Sequence, residues 1–191
     1  MDSINLRRLG SLTYKDPKPF LLELRKLELE LASKELSKKV RALRTNSLNE
    51  YRQLREAALF CYFMGQRIGT TIYLAKDESQ DYDFVTKWSD GDYTSYSPVQ
   101  LKEIPPADIN SNIDLDEIIS NLKKYTDSKN LVVAIHLNRQ LRFEPKELAI
   151  PSLNIAELWI FGAVSPDQNK WGLWGDFLQS PVGIQFEYPT E

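Results

Sequence analysis

Asp83, Gln100 and Lys102, with Glu56 upstream of them, are the residues of this 191-residue chain whose types and spacing suggest chemistry. On a strand, residues two apart point to the same side, so Gln100 and Lys102 share a face while Leu101 faces the opposite layer. The stretch Ser89-Asp90-Gly91-Asp92 is a hairpin signal, because glycine readily takes the positive φ of a tight turn. It folds the strand bearing Gln100 and Lys102 back beside the one bearing Asp83, bringing a carboxylate, an amide oxygen and an ammonium to one spot. Glu56 adds a second carboxylate if its helix packs over the same edge. A hard divalent cation, Mg²⁺ or Mn²⁺, takes oxygen ligands, here Asp83, the Gln100 amide oxygen, a backbone carbonyl near Leu101, and water. Such an ion lowers the pKa of bound water and neutralises charge building on a phosphate. Lys102 then holds or deprotonates the attacking water, or stabilises the crowded phosphorus. These are the parts of a phosphodiester hydrolase.

The elements that must position these groups follow from periodicity. Residues 1–16 read as a loosely structured lead-in, and Pro17 to Arg44 as an amphipathic helix with Phe20, Leu24, Leu27 and Leu31 on one stripe. Ser47 and Glu50 have the spacing of a capping box that opens a second helix reaching about Met64. Strands are expected over Ile68–Ala75, Asp81–Trp88 and Tyr93–Ile104, the last closed by Pro105-Pro106. A helix begins at Asp114 and Glu117, with Ile118, Ile119, Leu122 and Tyr125 on one side. Leu131–Leu137 reads as a strand buried on both faces, followed by strands at Glu157–Val164 and Val182–Phe186. Trp171-Gly172-Leu173-Trp174-Gly175 reads as an aromatic-rich turn, its two tryptophans a candidate stacking platform. The whole is an α/β layer fold in two parts: an N-terminal helical extension, 1–46, and an α/β domain, 47–191.

The run Asp81-Tyr82-Asp83-Phe84-Val85, the turn, and Pro98-Val99-Gln100-Leu101-Lys102-Glu103 resemble the PD-(D/E)xK nuclease superfamily, the restriction-endonuclease-like fold. The likeness covers roughly Ser47 to Asn138. It implies a core of helix, three-stranded meander, helix and strand around a mixed central sheet. It also implies that Asp83 is the metal aspartate, Gln100 stands in the acidic position, Lys102 is the lysine and Glu56 the helix glutamate. Members of this superfamily cleave DNA, less often RNA. Tyr82 replaces the usual proline, and Gln100 removes one negative charge from the metal site. That second departure leaves open a catalytically inactive module on the same fold, binding nucleic acid or a protein. The pattern [DEQ]-x-K occurs five times in the chain, but only at Gln100 does it follow a hairpin within an apolar strand.

Composition bounds the alternatives. Residues 1–67 hold 14 Lys/Arg and 8 Asp/Glu, a net of +6, and the remainder holds 10 and 19, a net of −9. The basic part suggests an anionic partner, nucleic acid among the candidates, met through Lys34, Lys38, Lys39, Arg41 and Arg44. The same helix offers a homodimerisation face. One cysteine and one histidine argue against most zinc sites and any internal disulfide. With no apolar run of membrane-spanning length and no leader-like start, a cytoplasmic protein is expected. His136 sits in the most apolar strand and reads as a buried structural residue.

Overall fold

The computed structural model describes residues 3–35, 37, 40, 43–45, 47–77 and 82–191. The expected domain boundary at 46 and three of the basic candidates, Lys38, Lys39 and Arg41, lie outside them. The helices include α1 (Ser3–Gly10), α2 (Pro17–Ala32), α3 (Asn49–Ile68) and α4 (Leu115–Asn121). Seven strands, β1 (Tyr73–Ala75), β2 (Phe84–Asp90), β3 (Tyr93–Ile104), β4 (Ser128–Leu137), β5 (Ile155–Ala163), β6 (Lys170–Gly175) and β7 (Val182–Glu187), follow one another in chain order in a mixed sheet. Among the described residues, no helix is long and apolar enough to cross a membrane.

The chain divides into two compact units. One contains Met1–Lys76, Thr86–Tyr96 and Pro189–Glu191, and the other Asp77–Val85 and Ser97–Tyr188. In the first, α2 packs along α3. Asp16 caps α2 by accepting from the Lys18 N–H at 2.9 Å, and Pro17 fits the first helical position, where no N–H partner is needed. Leu21 and Leu24 of α2 and Ala58, Leu59 and Phe63 of α3 are buried. Glu28 of α2 meets Arg55 of α3 at 2.6 Å, so the two helices are also joined by a largely buried ion pair.

Several expectations fail in this unit. The lead-in contains α1, whose last turn carries Arg7 and Arg8 beside the helix's negative end. The N-terminal helix stops at Ala32, with Ser33 as its C-cap, so Lys34 lies beyond α2 and not along it. The capping box does not form either. Leu48 occupies the N-cap position with helical φ and ψ, and the Ser47 hydroxyl instead meets that of Thr45 at 3.3 Å. Ser47 is thus one residue out of register to bond the first turn of α3. The helix also leaves later than Met64: α3 runs on to Ile68 and ends at Gly69, whose φ of 74° allows its N–H to close on the Gly65 carbonyl. That leaves room only for the short β1 in place of a longer strand.

The second unit carries the larger part of the sheet. β3 pairs in parallel with β4 and β4 with β5, while β6 and β7 are antiparallel to their neighbours. A parallel pair needs a crossover, and α4 supplies it between β3 and β4. Asp114 caps this helix by accepting from the Glu117 N–H at 2.7 Å. One core cluster joins Ile119 and Leu122 to Ile104, Val133, Ile135, Leu137, Leu158 and Ile160. Arg139, just past β4, donates to the carbonyls of Asn110, Ser111 and Ile113, which holds the loop entering α4.

The aromatic-rich segment is a strand, β6, and not a turn. Trp171 is 1% exposed, and Trp174 packs edge-on against Phe143 with ring centroids 5.2 Å apart, so neither is an open platform. The glycines there make room: a Cβ on Gly172 or Gly183 would lie 2.3 Å or 2.7 Å from the Trp174 ring. Beyond β6, one buried carboxylate oxygen of Asp176 accepts from both Leu158 N–H and Leu178 N–H, each at 3.0 Å. The Phe177 N–H meets the Leu158 carbonyl at 3.0 Å.

Candidate functional site

The site is built on β3 of the second unit. β3 runs over Tyr93–Ile104 as expected, entered from the turn at Gly91, where φ is 56°. Asp83 stands one residue before β2, and its N–H donates to the Val99 carbonyl at 3.0 Å, which places its side chain beside Gln100 and Leu101. One Asp83 carboxylate oxygen accepts from the Leu101 N–H at 2.6 Å and from the Gln100 side-chain amide. The same Gln100 nitrogen lies 3.3 Å from the Leu101 carbonyl oxygen. An aspartate oxygen, a side-chain amide and a backbone carbonyl therefore meet at one point at the solvent boundary.

That point is a test of fit for a divalent ion. The Gln100 NH₂ carries the positive end of a dipole and faces two oxygens. Turning the amide by half a revolution exchanges its nitrogen and oxygen with little change of shape. Three oxygens would then face one another, an arrangement that needs a cation among them. An all-oxygen donor set suits Mg²⁺ or Mn²⁺ and is a poor match to softer metals. Asp83, Gln100 and the Leu101 carbonyl are the groups that would hold such an ion there.

Lys102 shares the Gln100 face of β3 and is half-buried. Its Nζ is 5.9 Å from the centre of the Tyr125 ring. Burial lowers its pKa below the ordinary lysine value, and the Asp83 charge opposes that shift in part. Tyr125 is moved the other way, its hydroxyl raised mainly by burial; Lys124 lowers it and Asp83 raises it further. Lys124 Nζ lies 5.3 Å from the same ring. Two ammonium groups thus flank one phenol beside the Asp83 carboxylate.

Tyr125 and Lys124 are absent from the candidates drawn from sequence. Tyr125 reads there as one more apolar residue on the α4 stripe, but a short 3₁₀ turn, Leu122–Lys124, ends that helix and redirects it. The paired lysines Lys123 and Lys124 before a tyrosine are the available signal, with nothing in their spacing to connect them to β3.

The other residues singled out from sequence have the following surroundings. Glu56 lies on α3 of the first unit, 3% exposed, where it accepts from Arg52 at 2.8 Å. Glu103 points away from Lys102 and accepts from the Asn138 amide at 2.7 Å. His136 is 2% exposed, buried as its strand implies, and stacks on Phe161 and Trp171, with ring centroids at 5.0 and 5.8 Å. Of the basic candidates within the described residues, Lys34 is exposed and Arg44 partly buried. No family model matches the chain, and no match was found among curated proteins or solved structures.

Proposed function

We propose that this protein is a divalent-metal-dependent nuclease that hydrolyses phosphodiester bonds in nucleic acid, most simply DNA, at the Asp83–Gln100–Lys102 site. The observation that carries the reading is the meeting of the Asp83 oxygen, the Gln100 amide and the Leu101 carbonyl at one point, with the half-buried Lys102 on the same strand face. The order α3, β1, β2, β3, α4, β4 supports a restriction-endonuclease-like core. In this reading Asp83, Gln100 and the Leu101 carbonyl hold Mg²⁺ or Mn²⁺, which when bound supplies an acidified water and charge neutralisation on the phosphate. Lys102, whose ammonium is disfavoured by burial, is suited to hold the attacking water and to receive its proton. Glu56 enters as the helix glutamate by resemblance.

Purified protein incubated with Mg²⁺ or Mn²⁺ and single-stranded DNA, duplex DNA and RNA, beside Lys102→Ala, tests this. Metal-dependent cutting that disappears in the variant is expected; cutting unchanged in the variant discards the site. A second reading has its own observation. The Gln100 amide already satisfies Asp83 without any ion, as a catalytically inactive binding module would require. That module would show no heat of Mg²⁺ binding, together with nucleic-acid association that weakens with salt and with neutralisation of Lys38, Lys39 and Arg41.

A further inference from the structure

β7 is the last strand of the sheet, and its pairing pattern fixes which backbone groups it leaves facing outward. In the antiparallel ladder with β6, Lys170 lies opposite Glu187 and Gly172 opposite Gln185. One residue further on, the Tyr188 N–H donates to the Asn169 carbonyl at 2.8 Å, so Tyr188 directs its backbone toward β6. Backbone direction alternates along a strand, so Val182, Ile184 and Phe186 also face β6, and Gly183, Gln185 and Glu187 face outward. All three outward residues are exposed. Among the described residues no other strand pairs with this edge.

Edge strands are commonly protected by lysine, internal proline, a bulge or a covering segment. Within β7 the sequence Val182-Gly183-Ile184-Gln185-Phe186-Glu187 has no lysine or proline, and its register against β6 is unbroken. Pro181 and Pro189 stand just outside, which limits any added pairing to this short stretch.

We infer that β7 is a self-pairing edge at which a second copy of this chain adds its own β7 in antiparallel orientation, about a twofold axis through Gln185. In that register Gly183 meets the other copy's Glu187, and the two Gln185 residues meet each other. Each of these outward pairs exchanges two backbone hydrogen bonds. Ile184 falls opposite the second Phe186, an apolar pair of the kind that stabilises neighbouring strands. The charges select the same register. The two Glu187 carboxylates are four residues apart along the ladder, roughly 13 Å, beyond the screening length at physiological salt. A slide of two residues would bring them to roughly 7 Å, within that screening length, and a slide of four would set them directly opposite. Both edges are consumed by the pairing, so the assembly closes as a dimer instead of growing.

Light scattering on the full chain is expected to give twice the 22.1 kDa monomer mass. Gln185→Pro removes an outward N–H at a position where an edge strand accepts proline, and is expected to give a monomer with an unchanged far-ultraviolet spectrum. Gln185→Lys places like charges opposite each other and is expected to raise the dimer dissociation constant roughly fivefold. Independently of folding effects in those variants, Gln185→Cys brings two thiols together across a pair with Cα atoms about 5.5 Å apart, within disulfide reach. It is expected to cross-link on mild oxidation, whereas Ile184→Cys is not; the native Cys61 is buried. A monomeric wild type at every concentration, a dimer indifferent to Gln185→Pro, or the absence of a Gln185→Cys cross-link would each overturn the inference.

Discussion

Lys102→Met separates a lysine held for chemistry from one held for stability. Methionine keeps an unbranched stem and deletes the ammonium, whose nitrogen lies 5.9 Å from the centre of the Tyr125 ring. In the folded protein that ammonium is half-buried and its pKa is depressed, so the charged form is favoured more in the unfolded chain than in the folded one. At neutral pH the charge therefore acts against folding. That penalty is relieved as pH rises from the folded-state pKa toward the ordinary lysine value, so Lys102 makes stability rise with pH across that alkaline window. Against this stands the attraction to Asp83, which at a solvent-screened site contributes under about 1 kcal/mol. The two effects oppose each other. In a chain of this size about 1 kcal/mol corresponds to roughly 3 °C in Tm, which bounds the net change expected on Lys102→Met. The alkaline rise in stability should flatten in the variant. Metal-dependent cleavage should fall on the order of 10²–10⁴-fold, the usual worth of a positioned proton-transfer group. Calorimetric melts at pH 7 and pH 10, run beside a cleavage assay, read all three quantities. A Tm loss well beyond about 6 °C with cleavage intact would show that the ammonium supports the fold, and the assignment of Lys102 would be refuted.

Gln100→Glu sets a second carboxylate against Asp83. It should lower metal-free Tm through the lost amide contact, and raise Mg²⁺ affinity about tenfold or more with a correspondingly larger Mg²⁺-induced Tm increase, measured by titration calorimetry and melting. Asp114→Ala removes the cap of α4 and should cost about 1 kcal/mol in urea unfolding, whereas Ser47→Ala, at a hydroxyl that caps nothing, should stay within about 0.5 kcal/mol of the parent. Leu122→Ala, in the cluster beneath α4, should cost about 2–5 kcal/mol by the same assay.

What the sequence discloses is local. β3 is bounded correctly because its ends carry explicit chemistry, a Gly91 turn on one side and Pro105 on the other. The meeting of Asp83 with Gln100 and Leu101 is legible for the same reason, being a consequence of one hairpin and strand alternation. The α4 cap at Asp114 is also readable from side-chain type and spacing. Lys124 and Tyr125 are not, since their proximity to Lys102 depends on how a 3₁₀ turn ends a helix 20 residues downstream in the chain. β6 resembles a turn in sequence because Gly172 has the look of a conformational hinge. Its smallness serves instead to admit the Trp174 ring, which only the folded sheet reveals. Ser47 misleads in a different way: the residue types of a capping box are present, but α3 begins one position later than that box requires.

The carboxylate of Asp176 has an effect on exchange with solvent. Where β6 departs from β5, Leu158 would ordinarily present a bare amide and carbonyl; Asp176 and Phe177 occupy both. The Leu158 amide should consequently trade its proton for deuterium only when the whole second unit opens, on the slowest timescale the molecule offers, despite lying beyond the last rung of the β5–β6 ladder.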